Sequence, residues 1–229
     1  MHTTIIDPDI RARYRALKGG REFAFTDIDP VRTAHLVVDM QNAFVEDGAL
    51  LEVPIAREIV GNINKITSEL RTAAGLVVFF RFTTKTTEHW SVYFQHFQDE
   101  VFGKAQVETF QHGSHGHALY PELDVGETDL VLDKTRFSAF TQGHSDALDI
   151  LKARGIDTVL ISGTLTNVCC ELTARDAQQL GFKVILVCDA NAALSDQEHN
   201  AAVNAVASWS ADIRTTEQTL ALLRRERVE

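Results

Sequence analysis

Three stretches of the chain repeat one pattern: apolar positions at helical spacing, a glycine, then an unbroken apolar run. They read RTAAGLVVFFR (71–81), LKARGIDTVLIS (151–162) and AQQLGFKVILVCD (177–189). The pattern predicts a helix, a left-handed closing residue at Gly75, Gly155 or Gly181, and then a strand. Runs that are apolar on both faces suit parallel strands covered by helices on either side. HLVVD (35–39) and DLVLD (129–133) predict two more strands of this kind. Behind Pro54, which suits a first helical turn, Ile55, Ile59, Ile63, Ile66 and Leu70 recur at intervals of 4, 4, 3 and 4 residues. Ser195 with Glu198 and Thr215 with Gln218 have capping-box spacing, the first opening a helix through about Trp209. Alternating strands and helices predict an α/β fold: a parallel sheet between two helical layers, α/β/α.

Two regions break the pattern. Residues 1–30 are mostly polar and precede the first strand, so they read as an N-terminal extension of a single domain spanning 1–229. Residues 82–127 form a long connection rich in aromatic residues and histidine, including His89, Trp90, Tyr93, Phe94, His112, His115 and His117. Long connections inside a compact domain are usually lids or interfaces; this one predicts a partly helical lid over the carboxyl edge of the sheet.

Composition narrows the class of partner. The 229 residues carry 32 acidic and 22 basic side chains, a formal net charge of −10, with 45% hydrophobic residues. An acidic surface argues against binding nucleic acid or docking on anionic membranes. No apolar run approaches the roughly 20 residues a bilayer span needs. The amino end, MHTTIIDPDIRARYRALKGG, lacks the apolar core of a secretion signal, so a cytoplasmic location is expected. Three cysteines, two of them adjacent, do not make a disulfide framework; each is either packing or chemistry.

Sites in open parallel sheets form beyond the carboxyl ends of the strands. Those ends present Asp39, Arg81, Asp133 with Lys134, the turn after Ser162, and Asp189. Asp39 alone reads equally well as a strand-end cap, and Lys134 alone as a solvated surface lysine. The segment SGTLTNVCCELTARDA (162–177) says more: a strand, a tight turn, then a helix with Cys169 and Cys170 in its first turn. Free N–H groups and the helix dipole there favour a thiolate and can hold an oxyanion. Adjacent helical residues point about 100° apart, so only one of the two thiols can face a site. Cys188, inside an apolar strand, reads as core.

Three spaced segments, VVDMQNAF (37–44), DKTRFSAF (133–140) and SGTLTNVCCELTARDA (162–177), occur in the order of the isochorismatase-like hydrolases, and the chain resembles their cysteine amidohydrolase branch from about residue 33 to 215. The resemblance implies a six-stranded parallel sheet and a homodimer or homotetramer. It implies Asp39 as catalytic acid/base, Lys134 as catalytic lysine and Cys169, in the pattern Thr-Asn-x, as the nucleophile, leaving Cys170 to pack under the helix. It further implies a cis peptide at Thr164–Leu165 that aims the Leu165 N–H, with that of Cys169, at the substrate oxygen.

Where the nicotinamidases of this superfamily hold a metal through Asp-x-His…His, this chain reads RFTTKTTEHWSVYF, and His112, His115 and His117 lack an evident carboxylate partner; no metal and no cofactor are expected. The expected partner is a small-molecule substrate, with contacts from Gln41, Asn42, Phe44, Arg81, Trp90, Phe94, Arg136, Ser138 and Asn167, and with Arg81 and Arg136 holding a carboxylate. The reaction expected is hydrolysis of an amide or carbamoyl C–N bond through a thioester. The alternative is an isochorismatase-type vinyl-ether hydrolase, which shares the Lys-x-Arg-Phe-Ser-Ala-Phe segment and needs no thiol. A nucleotide-binding module is disfavoured because DMQNAFVEDG replaces the glycine-rich turn, and a dithiol redox protein because the cysteines are adjacent.

Overall fold

A computed structural model describes residues 1–224. Six parallel strands run β1 (Thr33–Val38), β2 (Leu76–Phe82), β3 (Leu130–Lys134), β4 (Thr158–Thr164), β5 (Lys183–Ala192) and β6 (Asp212–Arg214), in the spatial order β3-β2-β1-β4-β5-β6. The helices are α1 (Pro8–Leu17), the single-turn α2 (Asn42–Val45), α3 (Ala56–Thr72), α4 (Ser91–His96), α5 (Glu100–Thr109), α6 (Ala147–Ala153), α7 (Glu171–Gln179), α8 (Asp196–Ala207) and α9 (Thr216–Leu223).

Successive strand residues face opposite sides of the sheet, so each strand feeds two cores. Val37, Phe79, Leu160 and Ile185 meet Ile59, Ile63 and Leu70 of α3 and Leu220 of α9. Leu36, Phe80, Ile161 and Leu186 meet Leu151 of α6, Ala174 of α7 and Val203 of α8. That is the three-layer α/β/α arrangement.

The order reverses direction between β1 and β4, the crevice where open α/β sheets place their ligands. Here the two strands approach unusually closely. Gly163 sits at φ +115°, and a Cβ there would lie 2.1 Å from the Val38 carbonyl oxygen. The Thr164 hydroxyl then donates to the Asp39 carbonyl at 3.0 Å.

Gly155 and Gly181 close their helices with φ of 69° and 89°, but at the end of α3 the left-handed residue is Ala74, at φ 60°. Gly75 is required for another reason: a Cβ there would sit 2.3 Å from Leu70 Cδ1 and 2.7 Å from the Pro30 carbonyl.

The N-terminal extension is tied down along α8. Asn200 receives Ile5 N–H at 2.6 Å and donates to the Thr3 carbonyl at 2.9 Å. Asn204 repeats the motif one helical turn on, with Asp7 N–H at 2.8 Å and the Ile5 carbonyl at 2.8 Å. The match is metric: two extended residues advance about 6.6 Å and four helical residues about 6 Å. Further along, Asp212 of β6 accepts from Ala24 N–H, Phe25 N–H and the Lys18 ammonium.

Two histidines are sealed in as neutral rings. His35, fully buried in β1 with Nε2 2.7 Å from the Ser162 hydroxyl, has its pKa pushed down to about 3 by burial and by Arg71. His199, between the Thr4 and Thr166 hydroxyls at 3.1 and 3.0 Å, is pushed down to about 4, chiefly by burial. A histidine with a folded pKa below its unfolded value of about 6.5 stabilises the fold above that pH. The contribution disappears as pH falls toward the folded value, by about 1.4 kcal/mol per pH unit for each ring. The urea midpoint is therefore expected to drop markedly between about pH 7 and about pH 5; a flat profile over that window would show that these rings accept protons without unfolding.

Candidate active site

Asp39 follows β1, Lys134 ends β3 and Cys169 lies in the turn after β4, so the three approach the crevice from different strands. Asp39 holds φ at 53°, a conformation that aspartate tolerates better than most residues. Its N–H donates to the Phe80 carbonyl at 3.1 Å. Lys134 reaches past β2, running under the Phe82 ring with its Nζ 5.2 Å from the ring centre. Nζ ends 2.7 Å from Asp39 Oδ2, outside hydrogen-bonding alignment, and donates to the Arg136 carbonyl at 3.1 Å. Both side chains are fully buried and Cys169 is 5% exposed. The Cys169 thiol is within hydrogen-bonding reach of both.

Burial raises the Asp39 carboxyl above the ordinary carboxylate range, against the pull of Lys134 and Cys169. Burial works against the Lys134 charge, but Asp39 and Cys169 outweigh it and its pKa rises. The setting of the thiol differs from the exposed helix start expected from sequence. Cys169 lies in a π-helical turn, Thr166–Cys170, ahead of α7 rather than in that helix's first turn. Burial then pushes the thiol well up; Lys134 opposes this and Asp39 adds to it. The surroundings thus disfavour the thiolate, beside a carboxyl whose pKa is raised. Cys170 is fully buried beneath the turn, and the strand cysteine Cys188 is also buried. The Thr164–Leu165 peptide is cis, and the Leu165 carbonyl accepts from the Val168 and Cys170 N–H groups at 3.1 Å each.

Two cavities meet this region. One, of about 140 Å³, opens onto Cys169 and is walled by Phe44, Leu51, Phe82, Tyr93, Phe137, Leu165 and Val168, with Gln106 at its side. The other, of about 200 Å³, holds Trp90, Phe94 and Arg136 together with Thr83, Thr84, Lys85, His89 and His144. Trp90 packs on Tyr93 and Phe137, 4.6 and 4.7 Å between ring centres, so one aromatic wall borders both.

The substrate contacts expected from sequence therefore divide. Phe44 and Leu165 line the first cavity with Cys169; Trp90, Phe94 and Arg136 line the second. Others serve the scaffold. Gln41 donates to the Phe82 and His117 carbonyls and accepts from Phe82 N–H, which leaves its carboxamide occupied. Asn42 donates to the His115 carbonyl and Ser138 accepts from Phe140 N–H; neither lines these two cavities, nor does Asn167. Arg81 is turned away to Asp133, at 2.9 and 3.0 Å, because β2–β3 pairing sets these two residues side by side. Sequence reasoning missed Leu51, Gln106, Phe137 and Val168, which come from loops, α5 and the turn that carries Cys169.

The histidines do have a carboxylate partner. His112 Nε2 lies 2.9 Å and His117 Nε2 3.7 Å from Asp133. These three ligand atoms fall within 4.8 Å of one another. These groups already have partners: Arg81 sets two nitrogens on Asp133 Oδ1, and His117 Nε2 is shared with the Thr83 hydroxyl at 2.8 Å. At the end of β2, where an Asp-x-His would stand, the chain has Phe82, Thr83 and Thr84.

An α/β/α fold with an acid, a lysine and a thiol at its switch point defines a class, and similarity to known proteins specifies it. Residues 33–218 match the isochorismatase domain model, and the chain belongs to that family. It is similar to the uncharacterized isochorismatase family protein YwoC of Bacillus subtilis, 30% identical over 85% of this chain and 95% of that protein. It is likewise similar to the ureidoacrylate amidohydrolase RutB of Klebsiella pneumoniae, 32% identical over 70% of this chain and 73% of that one. Among solved structures, a cysteine hydrolase from Pseudomonas syringae superposes with a TM-score of 0.76 at 28% identity, covering 86% of this chain and 94% of the other. Among the described residues no helix is long and apolar enough to cross a membrane.

Proposed function

We propose that this hydrolase cleaves a C–N bond of a small amide or ureide through a thioester on Cys169. The observation that carries the reading is the buried Asp39–Lys134 pair in reach of the Cys169 thiol, which lines a cavity; amidohydrolases among its relatives agree with it.

Asp39 takes the thiol proton as sulfur attacks the carbonyl carbon, and Lys134 keeps the carboxylate oriented and its neighbourhood neutral. The C=O π bond opens to an oxyanion, which the N–H groups of Leu165 and Cys169 receive. Collapse breaks the C–N bond, Asp39 protonates the departing nitrogen, and ammonia or an amine leaves a thioester. Asp39 then deprotonates a water that attacks the thioester, releasing the acid and returning the proton to sulfur. Arg136, in the neighbouring cavity, is the partner assigned to a substrate carboxylate, since Arg81 is committed to Asp133.

Rapid quenching during turnover of a panel of small amides and ureides, read by intact mass, is expected to show an acyl adduct on Cys169. Isochorismate belongs in the same panel. Its turnover with no adduct, and with all amides inert, would replace this reading with vinyl-ether hydrolysis.

A further inference from the structure

The cavity onto which Cys169 opens exposes only apolar surface, even where Tyr93 and Gln106 border it. Phe44 comes from α2, Phe82 from the end of β2, Leu51 and Phe137 from loops, and Leu165 and Val168 from the turn that carries the thiol. This wall is held from behind. Phe137 meets Trp90 and Tyr93 edge-on, 4.7 and 5.5 Å between ring centres, and stacks on Phe82 at 6.4 Å. An ordered water needs about two to four polar partners, which the wall does not offer, so an apolar group enters without displacing well-held solvent. A polar group would give up its hydration there and find nothing to replace it.

We infer that this cavity is the acyl pocket and that the acyl group is an uncharged hydrocarbon no larger than a single aromatic ring; the substrate is then a carboxamide rather than a ureide. The inference deepens, and rests on, the assignment of Cys169 as the nucleophile. In a thioester mechanism the nitrogen departs and the acyl group stays on sulfur, so it must occupy the space onto which Cys169 opens. The carbamoyl group that a ureide leaves on sulfur carries a second nitrogen, which would stand against this wall without a partner. Volume sets the size: a cavity of roughly 150 Å³ takes a benzene ring, and this one measures about 140 Å³. A carboxylate held by Arg136 lies beyond the aromatic wall of Trp90 and Phe137, and so belongs to the part of the substrate that leaves with nitrogen.

Aldehydes test this without knowledge of the natural substrate, because each can add the Cys169 S–H across its C=O, forming a C–S bond and a hydroxyl. Binding is read as protection of Cys169 from iodoacetamide, located by peptide mass. Benzaldehyde places a hydrocarbon ring in the cavity, and pyridine-4-carboxaldehyde is its isostere with one ring nitrogen. Intrinsic electrophilicity is removed by dividing each preference by the same preference measured on N-acetylcysteine. The native protein is expected to favour benzaldehyde over the pyridine by about 10- to 100-fold after this correction. 2-Naphthaldehyde is expected to protect about 10-fold less well than benzaldehyde or worse, and Leu51→Ala, which shortens one wall, to bring the two together. A corrected ratio near one, or one that favours the pyridine, overturns the hydrocarbon pocket, as does equal protection by the naphthyl compound; these arms use the native protein alone. An unchanged naphthyl ratio in a folded Leu51→Ala protein overturns it too. Acetaldehyde separates the two assignments, since it reaches sulfur without filling the cavity. Protection by acetaldehyde but not by benzaldehyde ends the inference and leaves the nucleophile standing; protection by none of the four ends both.

Discussion

Replacing Cys169 with alanine is expected to lower kcat for amide hydrolysis by on the order of 10⁴-fold or more and to abolish the mass adduct. The size follows from the mechanism: without sulfur there is no covalent step, and what remains is a polarised cavity with no attacking group. Little stability should change, because the thiol is a small side chain at the rim of a core that Val168 and Leu165 also seal. Cys169→Ser discriminates more finely. A hydroxyl is far less acidic than a thiol, so Asp39 cannot ionise it as readily, and serine should behave nearly as alanine does. Cys170→Ala, by contrast, should keep most activity, since that thiol is fully buried under the turn. Full activity in Cys169→Ala, measured on the same amide, would remove the thiol from the mechanism.

The second large effect is on stability. Lys134→Met should lower the unfolding free energy by about 3–5 kcal/mol near neutral pH, because it strands the Asp39 carboxylate without a counter-charge in a site closed to water. Adding Asp39→Asn to the same protein should recover much of the loss, since two neutral side chains replace one unpaired charge. Both proteins should be inactive. Urea unfolding of the parent, the single and the double variant measures the coupling directly. Equal stability of the parent and Lys134→Met would mean that Asp39 is protonated in the fold, and that the resting base must be sought elsewhere. The sign with pH is also set. The Asp39 carboxyl is raised, so the charged form that costs the Lys134→Met protein its stability accumulates only at higher pH. The deficit should shrink as pH falls.

Much of the sheet was legible because its rule is local. A glycine followed by a doubly apolar run needs no distant partner to be recognised, and Leu76–Phe82, Thr158–Thr164 and Lys183–Ala192 all obey it. Asp212–Arg214, three residues long, shows no such pattern and entered only through the family resemblance. The convergence of Asp39, Lys134 and Cys169 was readable from strand ends, but the cavity was not. Gln106 looks like an ordinary solvated position on a lid helix, and nothing in its neighbours shows that α5 turns it inward. Arg81 failed for the opposite reason. Its position at a strand end is right, yet strand register pairs it with Asp133, and register lies outside what one sequence displays. The thiolate expectation assumed a solvated helix start, whereas Cys169 is buried in a π-helical turn, where burial raises its pKa.

The double asparagine contact on α8 divides two kinds of position. Thr3 and Ile5 offer it only backbone atoms, so their side chains can change provided Ile5 keeps an N–H, which proline would remove; Asp7 also gives its N–H, but its carboxylate caps α1. Asn200 and Asn204 offer carboxamides spaced by one helical turn, and no other side chain both donates and accepts at that reach except glutamine, one methylene too long. Along residues 3–7, part of the constraint is therefore on backbone rather than composition, and it is read by two letters some two hundred residues downstream.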